Sequence, residues 1–389
     1  MRRTAIVASV RTPVGRIRGC LAPVMPNVMA KQVIAEAVKR AGIDPAIIDE
    51  VVYGNLYAHE IANMGRYASL DAGIPYTVPG ITIDRRCGTS LTAISLGDAL
   101  IRAGDADVIL AGGVESDSNR PYVMMQQTRL NNMAAPTFRG KTMLAPEHIG
   151  NPTMGITAEN LAEKYGLTRE QCDAFAVESH RKAVKAWDEG RFNEQIMPVV
   201  LEGKKGNTII DTDDVFRRDC TMESLAKLKP VFKPDGVATA GNSSPNSDGA
   251  SAVILMEESK AKELGCPILG YIKSFTSVGV DPTIMGIGPV YATRKILKKA
   301  GVAMSDIDVI EMNEAFAPQS LACIEELGMD LSKLNPNGGA IALGHPLAAT
   351  GGVLTTKLVY EMARSNAGLG LVTFCVGGGQ GVALLVERD

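Results

Sequence analysis

Apolar runs of strand length and helix-period stretches alternate along this chain, and the whole alternation occurs twice. Residues 4–10 (TAIVASV) are a continuous apolar run. Such a run reads as a buried strand. Residues 29–41 (MAKQVIAEAVKRA) carry apolar side chains at helical spacing and stop at Gly42, a common helix-ending residue. AGIDPAIIDEVVYGN follows, with a second strand at 51–53 and Asn55 after it. Much later the order returns. Residues 267–275 are strand-like, 292–300 (ATRKILKKA) form a helix closed by Gly301, and AGVAMSDIDVIEMN carries a strand at 309–312 with Asn313 after it. The correspondence continues. Residues 88–103 are a helix of small and apolar residues leading to a strand at 107–111 and an expected glycine turn at Gly112 and Gly113. An apolar helix after His345 leads to a strand at 369–374 and a glycine turn at 377–379. The closing run GVALLVER matches SAVILMEE at 251–258.

The first half therefore closes only near residue 258, and about 119–248 is an insertion into it. That insertion is polar and rich in Met, Asn, Pro and Gly, with helices near 157–165 and 169–188. The expected units are 1–118 plus 249–264, the insertion 119–248, and a second half at 265–389. Repeated strand–helix alternation implies an α/β protein with mostly parallel sheets. Two βαβαβ halves stacked on each other give layers in the order αβαβα, with two buried helices in the middle. One of these helices starts at Cys87 and the other just after His345, so the two starts are expected to meet.

At 389 residues the chain is long enough for two or three structural units. Lys plus Arg is 40 and Asp plus Glu is 43, a net charge of −3, which gives no support for a nucleic-acid partner. No apolar run reaches the length of a membrane span. The apolar part of MRRTAIVASVRTPVGR is too short and interrupted for a signal peptide. The seven cysteines include no CxxC pair, which argues against a zinc site or a disulfide framework. A reducing compartment, the cytoplasm, is expected.

Candidate chemistry concentrates in NPNGGAIALGHPLAATGG at 335–352, with five glycines and one of the chain's four histidines, His345. A single histidine in a glycine-rich turn is usually a surface residue, but here it stands at the head of a buried helix, where Pro346 suits a first turn. Cys87 lies in DRRCGTSLTAIS. Most free cysteines are small core residues, yet a thiol at a helix start is expected to have a lowered pKa. Cys375 ends a strand and opens VGGGQG, a turn able to aim backbone N–H groups at one point; the thiol beside it is a candidate acid or base. Asn313 in NEAFAPQ can cap the following helix, or hold a water or a substrate oxygen. Glu314 beside it is placed to orient His345.

Taken together these stretches resemble the thiolase family over essentially the whole chain. The resemblance rests on RRCGTSLTAI around Cys87, AGGVES, MGITAEN, TAGNSSPNSDGA, NEAFA, NPNGGAIALGHPLAATG and CVGGGQGVALLVER, in that order. It implies the thiolase fold and coenzyme-A-dependent acyl transfer, without a metal or a tightly bound cofactor. It also implies acyl-CoA substrates and a homodimer or homotetramer, with an inter-dimer loop at 121–144. Cys87 would be the nucleophile that accepts the acyl group, His345 its base, and Cys375 the acid and base at the α-carbon of acetyl-CoA. Asn313, through a water, and His345 would form one oxyanion site, and the N–H groups of Cys87 and Gly377 the second. Arg217, Ser224, Leu228, Ala240 and Ser244 fall at coenzyme-A-contacting positions. Thr153, Met154, Met285 and Phe316 fall at acyl-pocket positions.

Three places depart from the family pattern. Thr153 stands where acetoacetyl-type members have histidine; Ser244-Pro245 replaces a small-Gly pair; and Ser247-Asp248-Gly249 replaces Asn-Asp-Gly. The acyl group stays open on this reading. The rivals are a non-catalytic acyl-CoA-binding relative and a β-ketoacyl synthase, which would pair its cysteine with two histidines.

Overall fold

The computed structural model describes residues 2–125, 136–138, 140, 142–204 and 206–389. Half of the expected inter-dimer loop at 121–144, including 126–135, lies outside the described residues.

The first half supplies strands β1 (Thr4–Arg11), β2 (Glu50–Gly54), β3 (Gly80–Ile83), β4 (Val108–Ser116) and β5 (Ser247–Glu257). The second supplies β6 (Gly270–Gly279), β7 (Val309–Met312), β8 (Leu369–Val376) and β9 (Gln380–Glu387). Their spatial order is β7-β8-β9-β6-β1-β5-β4-β2-β3. The halves join where β1 pairs with β6, through Ala5 opposite Tyr271 and Ile6 opposite Gly270.

Strand direction corrects the expectation of mostly parallel pairing. β2 runs parallel to β3 and β4, and β7 parallel to β8. The closing strand of each half runs against both neighbours: β5 against β1 and β4, β9 against β6 and β8. A chain leaving β8 through a tight turn can only return antiparallel. β4 and β5 repeat that hairpin with the insertion opened between them.

The helices that matter for the site are α1 (Pro26–Ala41), α2 (Thr89–Ala103), α3 (Met154–Tyr165), α4 (Arg169–Asp188), α5 (Gly288–Ala300), α6 (Ala317–Leu327) and α7 (Thr350–Ser365). Gly42 and Gly301 end α1 and α5 in the left-handed conformation, with φ of 67° and 69°. α2 and α7 form the middle layer. Leu91 and Ile94 of α2 and Leu354, Leu358 and Val359 of α7 share one core with Val52, Ile109 and Val253 of the first half and Val372, Phe374 and Leu384 of the second. Each such side chain, fully buried, contributes about 1.5–3 kcal/mol, so helices covered on both faces by sheet need little polar surface. α1 covers the outer face of the first half, and α5 and α6 that of the second.

The expected turn at Gly112 and Gly113 does not exist, because β4 runs straight through both. A Cβ on Gly112 would lie 2.2 Å from the Ser251 carbonyl oxygen, and one on Gly113 would lie 2.3 Å from that of Ala348. These glycines permit close backbone approach, not a change of direction. Among the described residues no helix is long and apolar enough to cross a membrane.

Candidate active site

The starts of α2 and α7 meet. A Cβ on Gly351 would sit 2.3 Å from the Leu91 nitrogen, and the Gly352 N–H donates to Ser90 Oγ at 3.0 Å. Cys87 lies in a 3₁₀ turn, Arg86–Gly88, that feeds α2. Arg86 has φ 47°, a left-handed conformation that costs a non-glycine residue about 1–2 kcal/mol. Two contacts hold it there: its N–H donates to Asp84 Oδ1 at 2.6 Å and its guanidinium to the Tyr57 hydroxyl at 2.8 Å.

The Cys87 pKa corrects the expectation from helix position. Burial pushes the thiol up from its usual value; the N–H groups of Gly377 and Cys87 and the charge of Arg86 pull the other way without winning. Cys87 thus rests as a thiol and needs a base, while backbone donors already stand where its charge would form.

His345 sits between a short helical turn, Ala340–Leu343, and a 3₁₀ turn, Leu347–Ala349. Gly344 before it has φ 92°, and a Cβ there would crowd Ser247 Oγ at 2.6 Å. Pro346 is extended, with φ −72° and ψ 97°, so it precedes the helical turns and is not part of α7. The imidazole is held by Thr350, a residue the sequence reading missed. Nδ1 lies 2.7 Å from Thr350 Oγ1, and that hydroxyl donates to the Pro346 carbonyl at 2.9 Å. A hydroxyl has one proton, so Nδ1 must be the donor to Thr350. Nε2 is therefore the unprotonated, basic nitrogen, and Asn313 Nδ2 donates a long hydrogen bond to it at 3.4 Å. Burial pushes the His345 pKa down to about 4, so the ring is neutral at physiological pH.

Asn313 does not cap α6; the residue in that position is Phe316. Its side chain turns to His345. Glu314 does not orient the imidazole either. Its carboxylate accepts from Ser179 Oγ at 2.6 Å, Asn335 Nδ2 at 2.8 Å and the Ile341 N–H at 3.2 Å. It fixes the chain that leads to His345, not the ring.

Cys375 is buried at the end of β8 beside Met285 and Ala315, with Met154 and Phe316 packed around them. Burial, then the neighbouring Cys87, push its thiol well above the usual range. A Cβ on Gly377 would face Leu144 at 3.4 Å and Met154 Sδ at 3.6 Å. The Phe232 ring meets Phe316 edge-on at 5.8 Å. Three of the four pocket residues named from sequence are thus gathered at Cys375. Thr153 is exposed just before α3. Leu144 and Phe232 were missed, since neither stands in a motif of its own.

A neighbouring cleft of about 150 Å³ is lined by Arg217 and Ala240 together with Arg16, His180, Phe216 and Pro245. The other coenzyme-A candidates do not line it. The Ser224 hydroxyl is committed to Thr221 in a helix cap, Leu228 packs behind Gly241, and Ser244 binds the Ala315 carbonyl through both Oγ and N–H at 3.0 Å. The wall of the cleft continues to the catalytic candidates, because Ser243 bridges to Phe316 and Asn246 to His345.

The fold is a duplicated α/β arrangement, with two candidate cysteines and a candidate histidine near the junction of its halves. The family descriptions "Thiolase, N-terminal domain" and "Thiolase, C-terminal domain" match residues 4–259 and 266–388. The acetyl-CoA acetyltransferase of Pseudomonas aeruginosa is 48% identical over 395 residues, covering all of both chains. The crystal structure of the Bacillus anthracis acetyl-CoA acetyltransferase aligns with TM-score 0.94 and 42% identity, over 100% of this chain and 99% of that one. Human mitochondrial 3-ketoacyl-CoA thiolase aligns with TM-score 0.94 and 38% identity, with the same coverage. The chain belongs to the thiolase family.

Proposed function

We propose that this protein is an acetyl-CoA C-acyltransferase that cleaves a 3-ketoacyl-CoA with coenzyme A and, in reverse, condenses two acetyl-CoA into acetoacetyl-CoA. The convergence of Cys87, His345, Asn313 and Cys375 at the meeting helix starts carries the reading. His345 Nε2 takes the Cys87 proton and the sulfur attacks the 3-keto carbon. The oxyanion receives the N–H groups of Cys87 and Gly377, or Asn313 through a water with the newly protonated His345. The bond between C2 and C3 breaks, leaving an acyl-Cys87 thioester and the acetyl-CoA enolate, which takes the Cys375 proton. Cys375 thiolate then deprotonates incoming coenzyme A, whose sulfur displaces the acyl group. Cys87 leaves as thiolate and recovers its proton from His345. The raised pKa of Cys375 suits this task, since it narrows the gap to a weakly acidic carbon.

The base depends on Thr350. In Thr350→Val the Nδ1–H loses its buried acceptor, a loss of about 1–3 kcal/mol. We expect kcat to fall roughly 10- to 100-fold with little change in KM. We also expect the acid limb of the wild-type kcat/KM profile to lie near pH 4–5, below the ordinary histidine range, because the folded pKa is about 4 and only protonation disables the base. A limb at 6.5 would show that burial does not lower the His345 pKa in the working enzyme.

The reading is tested by thiolysis of a 3-ketoacyl-CoA chain-length series. The apolar lining of Met154, Met285 and Phe316, with Thr153 at its edge, favours tolerance, since a methylene is worth about 1–3 kcal/mol in such a pocket. Acetoacetyl-CoA should be cleaved, and substrates a few carbons longer at comparable or better kcat/KM. A non-catalytic binder gives no cleavage at any length. Strict selectivity for acetoacetyl-CoA would sink the tolerance argument alone.

The same reading divides the chain into a first half at 1–118 plus 249–264, an inserted coenzyme-A-binding unit at 119–248, and a second half at 265–389. We expect a homodimer or homotetramer. All seven cysteines are free, which supports placing the enzyme in the reducing cytoplasm.

A further inference from the structure

The cleft beside the site holds a cation that no motif announced. We infer that Arg16 acts with Arg217 as a clamp for the 3′-phosphate of coenzyme A; this rests on coenzyme A being the co-substrate. Both arginines are exposed and line the same cleft. Among the described residues, neither guanidinium has an ion pair or a hydrogen bond with a protein group. Two unpaired guanidinium groups on one cleft stand out in a chain of net charge −3. They are a site for a multiply charged anion.

Their backbones are bolted to one frame. Asp214 Oδ1 accepts the Arg16 N–H at 2.6 Å and its Oδ2 the Cys20 N–H at 2.7 Å, so each carboxylate oxygen already holds a backbone donor. Next to it, buried Asp213 accepts from the Arg11 guanidinium at 2.8 and 3.0 Å and from the Val14 N–H at 2.6 Å. Arg16 also pairs with Ser247, and the Ile17 N–H donates to the Asn246 carbonyl at 2.9 Å. On the far side, the Arg217 N–H donates to His180 Nδ1 at 3.1 Å. That bond places the His180 proton on Nε2, and burial, with the Arg217 charge, holds this ring neutral. The frame fixes the two arginine backbones and leaves their side chains open to a ligand.

The wall formed by 240–246 runs from this pair of arginines to His345. A carrier whose thioester lies at Cys87 and whose chain follows this wall outward brings its nucleotide end toward the arginines. The 3′-phosphomonoester is the group on that end with close to two negative charges at neutral pH, which matches two guanidinium groups. The bridging diphosphate also carries two charges, but spread over two phosphorus centres, whereas the 3′-phosphomonoester holds both on one group.

The test compares coenzyme A with dephospho-coenzyme A, which lacks only this phosphate, as thiol acceptors in low salt. Wild type should prefer coenzyme A in kcat/KM. In Arg16→Ser that preference should shrink roughly 3- to 10-fold, through KM, with Arg16→Lys in between. Calorimetry with adenosine 3′,5′-bisphosphate against AMP reads the same preference without turnover. An unchanged preference in Arg16→Ser, or equal losses with both thiols, overturns the clamp. If wild type cleaves no 3-ketoacyl-CoA yet loses its preference for the bisphosphate in Arg16→Ser, the clamp stands and the proposed reaction falls.

Discussion

Cys87→Ala is expected to lower kcat by roughly ten-thousand-fold or more, because removing a nucleophile eliminates the covalent route rather than slowing it. No other thiol can stand in. Cys375 is buried at the acyl pocket, Cys20, Cys172 and Cys323 are each pushed up to about 12, chiefly by burial, and burial also raises Cys220 and Cys266. Cys87 alone has the N–H of Gly377 and the charge of Arg86 working on its sulfur. Intact-mass measurement after exposure to acetyl-CoA should show one added acetyl group on wild type and none on the variant. Brief iodoacetamide treatment should label Cys87 first, with acetyl-CoA protecting it. Acetylation of Cys87→Ala, or first labelling of Cys20 with loss of activity, would move the nucleophile elsewhere.

Cys375→Ser separates the two half-reactions. A serine hydroxyl is a far weaker acid than a thiol, so it neither protonates the enolate nor takes a proton from an α-carbon. We expect cleavage and condensation to fall roughly a thousand-fold, the scale of a lost general acid and base. Acetylation of Cys87 by acetyl-CoA makes no carbon–carbon bond and should persist. The change is small in volume, so the packing of Met285 and Ala315 around the side chain should survive. Thermal melting checks that it does. A folded variant that cannot be acetylated would show that Cys375 acts on the thioester step as well.

How much of this was legible in the sequence varied with the physics. The repeated order of strands and helices was plain, because burial on two faces leaves long apolar runs and left-handed glycines end the helices. Strand direction was not, since a hairpin interrupted by some 130 residues of insertion leaves no local signal at its ends. Gly112 and Gly113 were misread because glycine serves turns and close approach equally. Cys87, His345 and Cys375 could be picked out from their glycine-rich settings. The partner of His345 could not. Glu314 carries a charge and lies beside Asn313, yet an ordinary threonine five residues after the histidine holds the ring, and threonines near helix starts are common. The cleft was the least legible part. Arg16 and Arg217 are 201 positions apart in sequence, and it is long-range contacts, among them those of Asp214, Ser247 and His180, that bring them to one frame.

The meeting of two helix starts from matching halves carries an evolutionary corollary. If two identical single halves had paired about a twofold axis, whatever side chain stood at one helix start would stand at the other. Such a symmetric ancestor could oppose thiol to thiol or imidazole to imidazole, never one to the other. Placing both halves on one polypeptide breaks that constraint, because each copy can then mutate alone. The asymmetric pair of Cys87 and His345 is thus open to two halves joined on one polypeptide and closed to a symmetric pair of identical halves.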